Sequence, residues 1–500
     1  MEYTKKEYLS GYDKYVYEKK NRTILLDNQT SLDLNRDELF QKVDFTVSAI
    51  GKQYLFYRMG AYNNPHPELK EDLDRLEQDP EAIPVLEKLL APLDNYESFF
   101  LVDLFWNSEA YTQGYQKFGM ILSVLGLIGL PLSLFFPSFL PAYILLLLLN
   151  TVIYMLGKRS NLLYYWELKG LKQFVRVCLV AFGKDKNLVL SKMETVKCSL
   201  YKRIRFWLRF IDSGEDFESS IANEVNSIAR SMLEYVKMLF LAEFLAQFFV
   251  FSLIRKNNNQ FRNAFESLAY QDFLMSILKF RSSLPCFCEP EFDLQNTILH
   301  AEDLFHPLIE NFVPQRIHLN KHTLVFGPNM SGKTTFLRTV GINVILAQSL
   351  LTACAKVYKA SFFSVISSIQ IVDNLMEGES LYLAEVKRLK EILDLTAVPG
   401  NFLILIDEIF KGTNNEERLA AATAYLEYLS EQGKSISLTT THQTDLIKML
   451  NRKFMLLNMK QNSFELNGDF VQIQNGIKLL EDNDYPKEIT DRARMIAGSL

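Results

Sequence analysis

The sequence predicts a helical N-terminal part followed by an α/β C-terminal part on a parallel sheet. Three observations carry that expectation. Residues 1–116 and 159–300 are patterned for long, mostly amphipathic helices. After Pro314 the pattern changes to short apolar runs alternating with helices, as in a parallel sheet covered by crossover helices. Between the two helical stretches, Phe118 to Gly157 contains not one charged residue.

A chain of 500 residues exceeds one ordinary domain, so two or three are expected, and 48% hydrophobic residues supply a sizeable core. The 54 basic and 59 acidic side chains leave a net charge of −5, which excludes a globally polyanion-seeking protein; any DNA contact would have to be a local patch. The five cysteines are scattered and odd in number, and Cys286-Phe-Cys288 lacks metal-ligand spacing. Free buried thiols in a reducing cytosol are therefore expected, with neither a disulfide nor a zinc partner. Met1 to Arg22 is charged throughout, so no cleavable signal peptide is expected.

In the first helical stretch, Glu68 to Glu87 is highly charged, and Pro65, Pro80 and Pro84 are expected to mark turns. The uncharged block divides at Phe136-Pro137-Ser138-Phe139-Leu140-Pro141, where two prolines break the helix. Each half has the length of a bilayer-crossing helix. A buried hairpin within a soluble domain is the alternative, but Ile144 to Leu149 is aliphatic all round the helix and leaves no polar face for water. Lys117 before the block and Lys158 and Arg159 after it place both flanks in the cytoplasm by the positive-inside rule. Met238 to Ile254 is also apolar, but Glu243 and Gln247 interrupt it; a core helix is expected, with a third membrane segment as the alternative. Lys202, Arg205 and Arg209 share a helical face beside Phe206 and Phe210. That face suits phosphates or lipid headgroups, or is simply a solvated charged surface.

The chemistry is carried by Gly327-Pro328-Asn329-Met330-Ser331-Gly332-Lys333-Thr334-Thr335. It follows a buried-strand pattern, Thr323 to Phe326, and opens a helix, which is the context a P-loop requires. The glycines let successive backbone N–H groups turn toward a β-phosphate, and the helix N-terminus adds its positive end. Lys333 would reach the β- and γ-phosphates, and the Thr334 hydroxyl would ligate Mg²⁺. Phe402 to Ile406 reads as a second buried strand, ending in Asp407 and Glu408. In such a Walker B arrangement Asp407 holds the Mg²⁺ shell and Glu408 polarises the attacking water. The cofactors expected are thus ATP and Mg²⁺.

These segments resemble the MutS family. Gly327 to Thr335 is similar to that family's P-loop, with its Asn-Met pair, and Asp407-Glu408-Ile409-Phe410-Lys411-Gly412-Thr413-Asn414 resembles its Walker B strand and loop. Asp373 to Glu385 is similar to the family's signature segment; by that resemblance Ser380 would reach across a homodimer interface to the partner's γ-phosphate. Thr441-His442 resembles the family's switch histidine, which makes His442 a catalytic candidate beside Glu408 and Lys333. His306-Pro307 resembles a family His-Pro near the nucleotide pocket. Val43 to Gly51 and Ser267 to Leu274 look like the start and end of the family's helical core, and Tyr485 to Arg494 resembles the segment that closes its ATPase domain.

The expected fold is an α/β P-loop ATPase, ABC-type and MutS-like, preceded by an all-α lever/core domain that a transmembrane helical hairpin interrupts. Its parts are an N-terminal extension (1–35), the helical core in two pieces (36–116 and 158–312), the hairpin (117–157) and the ATPase domain (313–500). The resemblance implies an ATPase with a composite site in a homodimer and possible ATP-dependent, structure- rather than mismatch-specific DNA binding, and the uncharged hairpin adds a membrane anchor that the resemblance does not imply. A membrane-tethered scaffold that uses ATP as a switch and acts on protein or lipid partners is the alternative. The Leu-Ser-Gly-Gly-Gln signature of transporters is missing, and Asn320-Lys321 lies on the wrong side of the P-loop for a GTPase. With only about 35 residues ahead of the helical core and no Phe-x-Glu wedge among them, mismatch reading is not expected.

Overall fold

The computed structural model describes residues 24–62, 67–108, 114–160, 165–182, 198–211, 232, 235–328, 331–370, 381–411, 414–432, 434–460, 463–466 and 485–497. The chain gathers into two compact units. A helical unit takes Phe45–Tyr57 and Asp72–Leu278, and a sheet unit takes Arg22–Asp44, Arg58–Glu71 and Lys279–Leu500. The extension expected up to residue 35 therefore contributes, from Arg22 onward, to the unit that holds the nucleotide motifs.

The chain opens with β1 (Ile24–Leu25), α1 (Asn28–Asp33), α2 (Arg36–Val43), α3 (Ala49–Gly60) and β2 (Ala61–Tyr62). Helices α4 (Pro67–Gln78), α5 (Ala82–Leu90) and α6 (Leu101–Trp106) follow. Pro84 lies inside α5 instead of in a turn; in the first helical turn its missing N–H has no partner to lose. The uncharged block forms α7 (Gly114–Phe135) and α8 (Leu140–Ser160), joined by a 3₁₀ turn that begins at Pro137, with Pro141 in the first turn of α8. Lys117–Phe135 and Pro137–Met155 are each long and apolar enough to cross a membrane. Most of their apolar surface is exposed, Leu134 and Leu145 being 75% and 69% accessible.

Next come α9 (Tyr165–Ala181), α10 (Cys198–Ile211), α11 (Ala242–Lys256) and α12 (Asn258–Ser283). The stretch 238–254 breaks at Leu241, whose φ is 48°, and α11 then buries Phe244, Val250, Phe251 and Ile254 as a core helix. Asp272 ties the helical unit together. Its buried carboxylate accepts from Val47 N at 2.8 Å, Ser48 N at 2.7 Å and Ser48 Oγ at 2.5 Å. Two segments that resemble the ends of a helical core thus meet at one buried carboxylate, whose hydrogen bonds offset the cost of burying it.

The sheet unit continues through β3 (Glu291–Phe292), β4 (Leu299–Leu304), β5 (Gln315–Leu319), β6 (Thr323–Phe326) and α13 (Lys333–Leu350). After β7 (Val357–Ala360), β8 (Ser364–Ser368) and α14 (Leu381–Thr396) come β9 (Asn401–Asp407), α15 (Asn415–Ser430), β10 (Lys434–Thr441), α16 (Thr444–Leu450), β11 (Met455–Lys460), β12 (Ser463–Leu466) and α17 (Lys487–Ala497). The main sheet has the order β12-β11-β6-β10-β9-β8; all neighbours pair parallel except the edge pair β11-β12. A smaller sheet has the order β3-β7-β4-β5. β6 is buried at every position and β9 at its five central ones, as a parallel strand covered on both faces must be.

The N-terminal segment is stitched to the edge strand β8. Asp33, fully buried, accepts from Ser367 Oγ at 2.6 Å, Ile369 N at 2.8 Å and Gln370 N at 2.9 Å. Arg388 of α14 bridges the same ends, donating to Asp27 Oδ1 at 2.9 Å, Thr30 Oγ1 at 3.0 Å and Ser367 O at 2.7 Å. Replacing Asp33 by Ala would strand these buried donors, so Asp33→Ala is expected to destabilise the sheet unit by about 2–4 kcal/mol in chemical denaturation. A loss below about 1 kcal/mol would show that the donors find other partners.

Candidate functional site

The site is assembled by strand register. Thr441 of β10 pairs with Phe326, the last residue of β6, and Thr440 pairs with Asp407, the last residue of β9. Three loops therefore leave the sheet side by side at one level: the P-loop after β6, His442 after β10 and Glu408 after β9. Carboxyl ends of parallel strands are where open α/β sheets bind ligands.

The P-loop enters α13 at Gly332, whose φ of 89° favours a residue without Cβ. Lys333 is buried and its Nζ donates to Gly327 O at 3.0 Å and Pro328 O at 2.8 Å. Burial lowers its pKa, against the pull of Glu408 and Asp407. Ser331 is buried too, and its Oγ has no hydrogen-bond partner among the described residues. Thr335 sits half-buried in the first turn of α13. Asn329 and Met330 lie outside the described residues, as do Ser380, most of the Asp373–Glu385 segment, Gly412 and Thr413.

Asp407 binds two threonines at once. Thr334 Oγ1 donates to its Oδ2 at 2.8 Å and Thr440 Oγ1 to its Oδ1 at 2.5 Å. Thr334 and Asp407 are thus already in contact as two members of a Mg²⁺ shell would be, with Lys411 Nζ 3.9 Å from Oδ2. A hydroxyl beside a carboxylate, a lysine at the N-terminus of a helix and an orphaned serine hydroxyl are the donor set that a magnesium-bound triphosphate needs, and the residues fit it.

Glu408 adopts a φ of 56°, and Phe410 one of 57°, both in the left-handed region. The turn is held from two sides. Glu385 of α14 accepts from the backbone N–H groups of Phe410 and Lys411, the latter at 2.8 Å, and Arg418 of α15 donates to Ile409 O at 3.1 Å. Burial pushes the Glu385 carboxyl up. Glu408 N donates to Thr440 Oγ1 at 3.1 Å, and Glu408 Oε1 lies 3.2 Å from His442 Nδ1. The bond to His442 is the main cause that takes the Glu408 carboxyl down to about 2, against its burial. Lys333, Thr334, Asp407, Glu408 and His442 are therefore brought together as the motifs imply.

His306 does not reach these groups through any described hydrogen bond. It is buried, its Nδ1 accepts from Leu308 N at 3.2 Å, and burial with Arg338 nearby lowers its pKa to about 4. Three participants were not singled out by role in the sequence: Thr440, Glu385 and Arg418. Thr440 stands one residue before the Thr441-His442 pair, but its contact with Asp407 depends on β10 lying next to β9.

The comparison with known proteins bears on this unit. The family model for MutS domain V matches residues 323–499. Over that stretch the chain is similar to MutS domain V. Over 234 residues, 43% of the chain and 26% of the relative, it is 29% identical to the DNA mismatch repair protein MutS of Staphylococcus epidermidis. It is 32% identical over 206 residues to the DNA mismatch repair protein msh3 of Aspergillus fumigatus, 39% of the chain and 18% of the relative. The Staphylococcus aureus MutS is 28% identical over 250 residues, 46% of the chain and 28% of the relative. The chain thus matches less than a third of the length of these relatives. MutS domain V is a P-loop ATPase-type domain, which agrees with the parallel sheet and the loop cluster described above.

The His442–Glu408 contact gives a pH signature. With Glu408 held down to about 2, kcat/KM for ATP hydrolysis should be free of an acid limb from this carboxylate above about pH 4. In His442→Ala the carboxyl returns toward its ordinary value of about 4.3 and is protonated as pH falls through that range. The variant's kcat/KM should then decline below about pH 5. Parallel profiles for the two proteins would show that the contact does not set the charge of Glu408.

Proposed function

We propose that the protein is a membrane-anchored MutS-family ATPase that binds and hydrolyses ATP at a composite site in a homodimer, with DNA as its client. The observation that carries the ATPase reading is the convergence of Lys333, Thr334, Asp407, Glu408 and His442 at the ends of β6, β9 and β10. Lys333 holds the β- and γ-phosphates once its bonds to the Gly327 and Pro328 carbonyls are exchanged for phosphate oxygens. Thr334 and Asp407 hold Mg²⁺, which when bound supplies positive charge to the phosphate oxygens. Glu408, ionised and aimed by its left-handed backbone, orients water and accepts its proton. His442, 3.2 Å from Glu408, is placed to sense the γ-phosphate. The dimer, with Ser380 contributed in trans, rests on the resemblance of the 373–385 segment; the DNA client rests on the names of the relatives.

The membrane reading is supported by the exposed apolar surface of α7 and α8, the charge-free sequence between Lys117 and Lys158, and the proline turn between them. Water would meet that surface at high cost, whereas a bilayer core accepts it. Both flanks, and the ATPase domain with them, then lie on the cytoplasmic side of the cytoplasmic membrane.

Lys333→Ala should abolish ATP binding, whereas Glu408→Gln should bind ATP and retain it unhydrolysed, with turnover reduced about 100-fold or more. Equal turnover in Glu408→Gln and wild type would remove Glu408 from the chemistry. Lys333→Ala and Ser380→Ala subunits, each inactive alone, should recover part of the ATPase rate when mixed, because one of the two sites is then assembled from intact halves. No recovery, with both variants monomeric in ATP, would exclude the composite site. A change in ATPase rate on adding duplex DNA is expected if DNA is the client, and no change favours a switched scaffold.

A further inference from the structure

Within the helical unit, α10 presents a face that the ATPase reading does not use. Lys202, Arg203, Arg205 and Arg209 are all exposed, no acidic residue occurs between Cys198 and Ile211, and none of the four forms an ion pair among the described residues. Phe206, among them, is 51% accessible. The opposite face buries Leu200, Tyr201, Ile204 and Leu208, so the helix is anchored and its basic face is turned outward.

Packing fixes where this face lies along the hairpin. Asn150 Nδ2 of α8 donates to Leu239 O at 2.8 Å, and Phe240 lies next to Gly126 of α7, well inside the apolar block. Leu241 and Phe244 pack against Leu122 and Tyr154, nearer the outer ends of the hairpin. A Cβ on Gly119 would fall 2.6 Å from Phe244 Cδ1, so the two helices touch there. The chain thus leaves the level of the apolar block as it passes from 239 to 244. Phe249 stands five residues further on, about 7 Å along α11. Its ring stacks on Trp207 of α10, with centroids 4.5 Å apart and planes at 16°. Tyr201, nearer the start of α10, contacts Phe261 of α12, the helix that follows α11, at 5.4 Å, whereas Trp207 meets Phe249 of α11, so the C-terminal end of α10 points back toward the hairpin. Phe206, Trp207 and Phe210 cluster at that end, with Arg205 and Arg209 beside them.

Resting on the membrane reading given above, we propose that this face of α10 docks on the anionic lipid headgroups at the cytoplasmic surface of the bilayer that α7 and α8 enter. The level is right, since Trp207 lies roughly one to two helical turns outside Gly119, where a bilayer changes from hydrocarbon to headgroup. The composition is right as well. Amphipathic aromatic rings favour that layer, and a run of arginines and a lysine complements phosphate charge on the cytoplasmic leaflet. Duplex DNA shares the phosphate chemistry, but it does not account for an exposed phenylalanine and a stacked tryptophan at the hairpin end of the helix.

The test uses the full chain with Trp106→Phe and Trp166→Phe, which leaves Trp207 as the sole tryptophan. It is reconstituted into phosphatidylcholine vesicles with and without phosphatidylglycerol. Lipids brominated close to the headgroup should quench Trp207 more than lipids brominated near the chain ends. Quenching should rise about twofold with phosphatidylglycerol and fall in Arg205→Glu/Arg209→Glu. If the tryptophan substitutions disturb folding, the chain with all three tryptophans supplies a second measurement. After detergent extraction it should retain at least about twice as much phosphatidylglycerol as Arg205→Glu/Arg209→Glu. A chain that resists carbonate extraction while Trp207 stays unquenched in both vesicles overturns the docking and leaves the anchor standing. A chain washed off by carbonate overturns the anchor itself. A tenfold loss of duplex DNA affinity in the double variant at matched salt, with quenching unchanged, would give the face to nucleic acid.

Discussion

The in-register parallel pairing of β6, β10 and β9 is the constraint from which the site follows. Because Phe326, Thr441 and Asp407 end their strands side by side, three loops of very different sequence open at one edge of the sheet. A shift of one residue in β10 would turn Thr440 away from Asp407 and move His442 along the edge, since strand side chains alternate between faces. The bonds from Thr334 and Thr440 to the two oxygens of Asp407 tie the P-loop helix to the other two strands through a single carboxylate. Buried apolar pairing supplies the rigidity: Leu324, Phe326, Ile404 and Ile406 belong to one core cluster with α14, α15 and α16.

That rigid edge supports a strained turn. Two non-glycine residues with positive φ, Glu408 and Phe410, stand within three positions of each other. Each such conformation costs on the order of 1 kcal/mol and persists only where the surroundings over-determine it. Here Glu385 and Arg418 do so, from the two helices that flank β9 in sequence. From this turn the Glu408 carboxylate meets His442, and that contact lowers its pKa. Displacement of α14 or α15 would therefore be felt at Glu408 through the Glu385 and Arg418 contacts.

Much of this was legible in the sequence because it is local. The strand before the P-loop, the helix that the loop opens, the strand ending in Asp407 and the two uncharged helices are each encoded by adjacent residues, and all stand where their patterns place them. What the sequence withheld depends on long-range pairing. Nothing near Thr440 says that β10 inserts between β6 and β9, and nothing near Asp33 says that its carboxylate caps β8 more than three hundred residues later. Ser48 and Asp272 lie in two segments that resemble the ends of a helical core, yet their direct contact required the fold. Pro84 failed as a turn marker because a first helical turn tolerates proline, a distinction that composition does not carry.

The central claim is that Thr334 and Asp407 form the cation half of a nucleotide site whose phosphate half is Lys333. Magnesium titration of ATP binding and turnover in Asp407→Asn tests it most directly, because the substitution keeps the size and one acceptor but removes the charge. The account expects nucleotide binding without magnesium to survive, while the magnesium concentration needed for half-maximal turnover rises at least about tenfold, the effect of losing one charged ligand. A variant with wild-type magnesium dependence and wild-type turnover would contradict the assignment of Asp407, and with it the reading of this strand edge as an ATPase site.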